Sequence, residues 1–250
     1  MKKFFTFIFL FLISSFYETE GKTFTQTLPF SADEVKGITK IIGGDVLLNG
    51  EANTENVLQA MEKYDIIHFA THAVIDEKAP LSSQFLLSGN DALYLSRIYS
   101  MNSHAKMIVL SACNTGRGKL EKGEGIMNFA RAFKSAGCSS VIMTLWATDD
   151  ISTSEIMKHF YAELKKGVPK DVALRRAKLE YLAKSNSKTA APIFWAATVP
   201  IGNMREIRFE IDKNDFPFTI LTVLSILTVL SFLRIKYGNS LLRKKNDNAS

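Results

Sequence analysis

Two short apolar runs set the strongest constraint on the fold of this chain. The first covers residues 65–72 and ends on His72, and the second covers residues 106–116 and carries Cys113 just before a turn. A nearly continuous run of Val, Ile and Leu between polar residues is typical of a strand buried on both faces, as in a parallel sheet. Functional residues of open α/β sheets collect beyond the carboxyl ends of the strands, so His72 and Cys113 are expected at one edge.

Helical patterns alternate with these strands. Ser31 and Glu34 form a capping box before a helix whose apolar side is Val35, Ile38, Ile41 and Ile42. Further elements are predicted as a strand at residues 140–145, helices at 152–166 and 170–183, and a last strand at 192–199. Strands that alternate with helices indicate an α/β fold with a mostly parallel sheet and helices on both faces.

The cysteine content excludes a disulfide-rich scaffold, because the 250 residues include only Cys113 and Cys138. Cys113 follows one predicted strand and Cys138 precedes the next. If these strands are parallel neighbours, the two cysteines lie at opposite ends of the sheet, on the order of 15–20 Å apart. A disulfide needs Cα atoms within roughly 7 Å. Cys113 is therefore predicted to be a free thiol.

Both ends of the chain carry membrane signals. Basic residues and a short apolar run make residues 1–21 a predicted signal peptide or N-terminal anchor. Residues 204–215 are a predicted linker, and 216–234 are a predicted transmembrane helix, since the run from 216 to 233 has no charge and the needed length. The basic tail, 235–250, then lies in the cytoplasm and the preceding domain outside it. The net charge is +6, and the basic tail is explained as a topological anchor that needs no partner, so no nucleic-acid partner is expected.

A thiol and an imidazole at one sheet edge can form a nucleophile with its base. A neighbouring histidine takes the proton of the thiol or stabilises the thiolate. Backbone N–H groups of Ala73 and Cys113 could hold the oxyanion of a tetrahedral intermediate. The residues alone leave an alternative open, because a single cysteine is more often a small core residue.

The segments around these residues resemble a known family, the CHAT domain. The motifs follow its pattern in order, and they are residues 68–73 (HFATHA), 110–116 (LSACNTG), 123–125 (GEG), 136–138 (AGC), 145–150 (LWATDD), 160–161 (FY) and 194–196 (FWA). The resemblance covers about residues 28–202. It implies a caspase–haemoglobinase fold and a His/Cys dyad, with the histidine of the motif at His72 and its cysteine at Cys113.

The family adds expectations about activity and partners. CHAT domains belong with the separases, gingipains and caspases, which are cysteine endopeptidases, and they occur often in multidomain bacterial proteins fused to tetratricopeptide repeats. Members usually carry a further N-terminal portion, so the resemblance indicates a shortened form or a fragment over residues 22–203. A separate repeat-containing protein is then a possible partner, and a protein or peptide is the expected substrate.

Other residues near the predicted edge have more than one interpretation. Asp149 and Asp150 can cap the following helix, or they can line a pocket with Trp146 and favour cleavage after Arg or Lys. Gly116 and Glu124 bound a glycine-rich loop next to the thiol. His68 shares the strand face of His72 and is predicted to be a packed, hydrogen-bonded core group. No metal-ligand spacing and no nucleotide fingerprint is present, so neither a metal nor a cofactor is expected.

These observations support two functions from different classes. The first is a membrane-anchored cysteine endopeptidase that uses His72 and Cys113. The alternative is a non-catalytic, membrane-tethered CHAT-like scaffold or signalling module that keeps the fold.

Overall fold

A computed structural model of the chain describes residues 7–11, 17–19, 22–24, 31–76, 78–111, 124–146, 148–209, 225, 226 and 228. The strands are β1 (Phe7–Phe11), β2 (Tyr17–Thr19), β3 (Lys22–Phe24), β4 (Asp45–Leu47), β5 (Ile66–Ala70), β6 (Ala73–Val74), β7 (Gln84–Leu86), β8 (Ala92–Tyr94), β9 (Met107–Leu110), β10 (Ser140–Thr144) and β11 (Thr198–Gly202). The α-helices are α1 (Ser31–Ile42), α2 (Thr54–Lys63), α3 (Leu95–Tyr99), α4 (Glu124–Ser135), α5 (Asp150–Lys165), α6 (Lys170–Lys184) and α7 (Pro192–Trp195).

Six strands within the described ranges form the central sheet, in the order β11-β10-β9-β5-β1-β4. Neighbouring strands are parallel from β10 to β4, and β11 alone pairs antiparallel to its neighbour. The predicted mostly parallel sheet is therefore confirmed. The 65–72 and 106–116 runs provide adjacent strands, β5 and β9, whose carboxyl ends lie side by side.

Two apolar cores cover the two faces of the sheet. Along β5, Ile67 and Phe69 pack with α2 and α4, whereas Ile66 and Ala70 pack with α1, α5 and α6. This alternation follows from the two-residue period of a strand. Both faces are covered, which explains why these strands are almost continuously apolar in sequence.

A small antiparallel sheet of β6, β7 and β8 follows β5 and packs on the first core. Its central side chain, Phe85, stacks on Phe69 with ring centroids 5.0 Å apart and contacts Phe129 of α4 at 4.3 Å. Aromatic pairs at such separations stabilise the core beyond the area that they bury. The small sheet is thereby held firmly at the end of β5.

Part of the N-terminal apolar run forms a strand of the central sheet. Residues 7–11, inside the predicted signal peptide or anchor, form β1, which lies between β5 and β4. A short apolar run fits the hydrophobic region of a signal peptide and a strand buried between two neighbours equally well. In this structure the run is used as a strand.

The chain after β11 packs on the domain further than the predicted linker suggests. The backbone N–H of Lys170 donates to the carbonyl oxygen of Met204 at 2.9 Å, its Nζ donates to that of Arg205 at 2.9 Å, and Ile207 is buried. Met1–Phe209 forms one compact unit and Glu210–Ser250 another. Within the ranges that the structure describes, no helix combines the length and the apolar character needed to cross a membrane. Most of 216–234 and all of 235–250 lie outside the described residues.

One predicted strand boundary is wrong. Residues 192–199 are not a single strand, because Pro192–Trp195 forms the short helix α7 and β11 begins at Thr198. Proline is favoured in the first turn of a helix, where its missing N–H costs nothing. The strand-like run of Ile, Phe and Trp therefore turns helical before the chain pairs with β10.

Candidate active site

His72 lies where β5 ends and the small sheet begins. Its carbonyl oxygen accepts from the N–H of Leu86 at 2.9 Å, and the hydroxyl of the preceding Thr71 donates to the carbonyl oxygen of Leu86 at 2.6 Å. The side chain of His72 is half-buried. Two hydrogen bonds to one residue of β7 thus fix the backbone around His72, while its imidazole keeps access to solvent.

Ala73 meets a geometric requirement of an oxyanion amide. It lies opposite Phe85, and the flanking pair, His72 and Leu86, is joined by a ladder hydrogen bond. Opposite pairs in an antiparallel ladder alternate between bonded and non-bonded, so Ala73 occupies a non-bonded position. Its N–H therefore points away from β7.

The strand that leads to Cys113 is described as far as Ser111. The ladder between β5 and β9 pairs Phe69 with Leu110, and the N–H of Ser111 continues it by donating to the carbonyl oxygen of Phe69 at 3.0 Å. Cys113 and Gly116 lie outside the described residues, and Glu124 is described only as the first residue of α4.

Of the three predicted pocket residues, Asp149 has a structural partner. Its carboxylate caps α5 by accepting from the N–H and the hydroxyl of Ser152, at 3.0 and 2.9 Å. The indole N–H of Trp146 donates to the carbonyl oxygen of Ile193 at 3.1 Å, which ties the end of β10 to α7. The capping interpretation is confirmed for Asp149. The carboxylate of Asp150 does not cap the helix.

Asp150 lies within electrostatic reach of His72. Burial is the largest cause that raises the pKa of Asp150 above its usual value, followed by the charges of Asp149 and Glu34, while a charge on His72 lowers it. A carboxylate in this setting gains from a positive charge placed beside it, because opposite charges favour the ionised form. The partly buried Asp150 at the start of α5 therefore interacts electrostatically with His72.

A buried polar cluster below this region was not predicted. The sequence pattern assigns Glu34 to a capping box, whereas its Oε1 accepts from the hydroxyl of Ser111 at 2.6 Å and lies 3.2 Å from Nε2 of His68. Nδ1 of His68 is 3.1 Å from the hydroxyl of Tyr161. The prediction that His68 is a packed, hydrogen-bonded core group is confirmed. Helical spacing was the available signal, since Glu34 precedes Ile38 by one turn and so falls on the inner face.

The thiol of Cys138, the second cysteine, has low reactivity. Burial raises the pKa of the Cys138 thiol to about 11, and its Sγ lies 3.0 Å from the carbonyl oxygen of Ser140, to which it donates. The thiolate is the reactive form of cysteine, so Cys138 is unreactive near neutral pH. No group of three His, Cys, Asp or Glu side chains in the described ranges is arranged to hold a metal ion.

Comparison with protein families gives the assignment. The sequence model of one family, the CHAT domain, matches residues 13–203, about three quarters of the chain. The chain belongs to the CHAT-domain family. The match begins before residue 28, where the motif resemblance starts, and it ends with β11.

Curated relatives of this CHAT domain include a repeat protein. Tetratricopeptide repeat protein 28 of Mus musculus is 21% identical over 219 residues, a match that covers 70% of this chain and 9% of the relative. The protein of the same name from Homo sapiens is 22% identical over 213 residues, covering 70% of this chain and 8% of the relative. The chain thus spans less than a tenth of the length of the curated relatives it matches.

Solved structures show the same fold. The Arg-specific cysteine proteinase gingipain R aligns with a TM-score of 0.52 and 9% identity over 82% of this chain and 48% of its own. The complex of the Porphyromonas gingivalis RgpB pro- and mature domains aligns with a TM-score of 0.52 and 10% identity over 83% and 49%. The CHAT domain therefore has the caspase-like α/β fold of these proteins.

Proposed function

We propose that this CHAT domain is a cysteine endopeptidase in which His72 and Cys113 form the catalytic dyad. The observation that carries the proposal is the register of β5 and β9, which pairs Phe69 with Leu110. The same offset, carried three residues beyond this pair, would set His72 opposite Cys113. Neighbouring strands lie about 4.8 Å apart, a separation that side chains of these two types span.

The chemistry follows from these two groups. His72 takes the proton of the Cys113 thiol, and Sγ attacks the peptide carbonyl while the N–H groups of Ala73 and Cys113 hold the oxyanion. The C–N bond breaks as His72 returns the proton to the leaving amine, which leaves a thioester. Water, deprotonated by His72, then hydrolyses the thioester and restores the thiol. The non-bonded position of Ala73 in its ladder supports the oxyanion role.

The dyad is tested with a thiol-directed activity probe, a peptidyl acyloxymethyl ketone. We expect the parent chain and Cys138→Ala to be labelled equally and Cys113→Ala to remain unlabelled, because the raised pKa keeps Cys138 protonated. Labelled sites are located by peptide mass spectrometry. Equal labelling of Cys113→Ala and the parent would exclude the proposal and favour the non-catalytic, membrane-tethered scaffold.

Asp150 is the residue of the predicted pocket that we assign to substrate choice. Trp146 forms part of the wall, and Asp149 supports it by capping α5. A carboxylate whose pKa is raised by burial and by other acids gains most from a cationic side chain. The substrate class is therefore a protein or peptide cleaved after Arg or Lys.

We also propose that the chain is anchored in a membrane. Residues 216–234 form the transmembrane helix, the domain over 22–203 lies outside the cytoplasm, and the basic tail at 235–250 lies inside it. The uncharged run and the basic residues that follow it support this topology. Residues 1–21 are either cleaved or retained, and N-terminal sequencing of the membrane-bound protein distinguishes these outcomes.

The topology is tested with single cysteines in a background that carries both Cys113→Ala and Cys138→Ala. In spheroplasts, we expect a membrane-impermeant maleimide to label Asn102→Cys, which is exposed on the domain, and to spare Ser250→Cys until the membrane is permeabilised. Labelling of Ser250→Cys in intact spheroplasts would place the tail outside and contradict the topology.

A separate repeat-containing protein is the partner that we propose for substrate selection. The curated relatives that match this chain carry tetratricopeptide repeats in their names, which supports such a context. Hydrolysis of the physiological substrate at the same rate with and without any second protein would exclude the need for this partner.

A further inference from the structure

Four buried polar side chains form what we call the Glu34 cluster: Glu34, His68, Ser111 and Tyr161. Each is at most 4% exposed, and they come from α1, β5, the end of β9 and α5. The surroundings are the apolar core between the sheet and these helices. Buried polar groups carry a cost unless they are hydrogen-bonded, so the internal order of this cluster is tightly constrained.

Two contacts of the cluster meet at Oε1 of Glu34. The Ser111 hydroxyl donates to Oε1 of Glu34 at 2.6 Å, and Nε2 of His68 lies 3.2 Å from the same oxygen. Burial raises the pKa of Tyr161 well above its usual value, so its hydroxyl keeps the proton and can donate to Nδ1 of His68 at 3.1 Å. Nε2, the other ring nitrogen of His68, then faces Oε1 of Glu34.

Two members of the cluster lie on the chain segments that lead to the residues of the proposed dyad. Ser111 is two residues before Cys113, a reach of at most about 7 Å along the chain. His68 lies within β5, four residues before His72. Glu34 therefore connects Ser111, which directly follows β9, to His68 within β5.

Stability alone is a poor explanation for such a cluster. Well-packed apolar residues in place of buried charged groups are often neutral or stabilising. A cluster of polar groups does, however, hold its members in one arrangement, because a shifted member leaves another unpaired. The feature that gains from a fixed arrangement here is the direction in which the chain leaves β9 toward Cys113.

We propose that Glu34 is a positioning residue for Cys113, acting through its hydrogen bond to Ser111. This inference rests on the proposed peptidase function. The bond between Glu34 and Ser111 fixes the end of β9 against α1, and the contact with His68 links that position to β5. Glu34 itself does not touch the substrate.

Position and charge make opposite predictions for one conservative variant. Both contacts of Glu34 go to Oε1, so Glu34→Gln can place its amide oxygen there, accepting from Ser111 and facing His68, while it loses the negative charge. If Glu34 acts by position, Glu34→Gln retains most of the parent rate and Glu34→Ala does not. If it acts by its charge, both variants lose the rate equally.

The experiment measures the rate constant for labelling of Cys113 by the peptidyl acyloxymethyl ketone and, separately, by iodoacetamide, on the full chain. We expect Ser111→Ala and Glu34→Ala to slow the peptidyl probe about tenfold, since misplacement of a reacting group by an ångström costs up to about a hundredfold. The iodoacetamide rate is expected to change less, because that small reagent needs an accessible thiolate and no bound peptide geometry.

Ser140→Ala is the matched control. Ser140 is a buried serine on the neighbouring strand. Its hydroxyl donates to the carbonyl oxygen of Lys106 at 2.8 Å, at the end of β9 opposite to Ser111. It is expected to label at the parent rate, and near-ultraviolet circular dichroism checks that each variant is folded.

The outcomes separate this inference from the function on which it rests. Parent-like labelling of Ser111→Ala, or equal losses in Glu34→Gln and Glu34→Ala, would overturn the positioning role while leaving the dyad intact. A parent chain that is labelled no faster than His72→Ala would overturn the dyad and the positioning role together.

Discussion

Alanine in place of His72 is expected to lower kcat/KM for peptide hydrolysis about a thousandfold. Positioned acid–base catalysis contributes roughly a hundred- to ten-thousandfold, and here the same group activates the thiol and protonates the leaving amine. We expect the surrounding fold to stay unchanged, because hydrogen bonds of the Thr71 hydroxyl and the His72 backbone hold this segment to Leu86. The measurement is the initial rate on fluorogenic peptides with each residue at the cleavage position.

His104→Ala is the control for this prediction. His104 is an exposed histidine that precedes β9, at the end of that strand opposite to Ser111, and its backbone N–H donates to the carbonyl oxygen of Met61. Removal of its side chain is expected to leave kcat/KM unchanged within about twofold, as is usual for surface substitutions. If both variants keep the parent rate, His72 is not the base.

Asp150→Asn is expected to lower kcat/KM for peptides cleaved after Arg or Lys about a hundredfold, and to leave uncharged cleavage residues nearly unaffected. Loss of one partner of a desolvated charge pair costs about 2–5 kcal/mol, and Asn conserves the shape of the side chain. Rates on Arg, Lys, Gln and Ala peptides measure the preference. Equal losses on all four peptides would contradict a role in charge recognition.

Asp150→Asn is expected to lower activity but to raise the stability of the fold at neutral pH. Burial raises the pKa of Asp150 in the folded chain, so folding disfavours its ionised form. Stability therefore falls as pH rises from the ordinary carboxyl range through the raised pKa, and that loss is present at pH 7. Asp150→Asn is expected to unfold at a slightly higher temperature than the parent at pH 7, and at the same temperature at pH 3.

Asp171→Asn is the matched control for both measurements. Asp171 lies in the first turn of α6, as Asp150 does in α5, but its side chain is exposed. It is expected to change neither the cleavage preference nor the unfolding temperature beyond the small effect of a helix-dipole partner. A gain in stability in both variants would point to a general effect of losing a carboxylate and not to the burial of Asp150.

The central part of the fold could be predicted because burial leaves a clear pattern. A strand covered on both faces needs apolar residues at nearly every position, and β5, β9 and β10 meet that requirement. Their order along the chain, with helices between them, then implies the parallel sheet. The same reasoning wrongly predicts a strand where α7 lies, because a short apolar run has no periodicity that separates a strand from one helical turn.

Single side chains were harder to predict than elements. Asp149 and Asp150 are adjacent and chemically identical in sequence, and only the backbone geometry assigns the cap to Asp149. Glu34 fits a capping box by spacing, yet its partners are Ser111, on a strand far along the chain, and His68. Such long-range pairs arise from tertiary packing, which local sequence patterns do not contain.

Because β1 lies between β5 and β4, the central sheet depends on the first residues of the chain. If residues 1–21 were removed, β4 and β5 would stand about two strand spacings, or 10 Å, apart, with unmatched hydrogen-bonding groups facing the gap. β5 would then offer an open edge, which is a template for another strand. Trimming of the N-terminus would thus act directly on the strand that leads to His72, and a β-strand from another segment or molecule would be needed to restore its support.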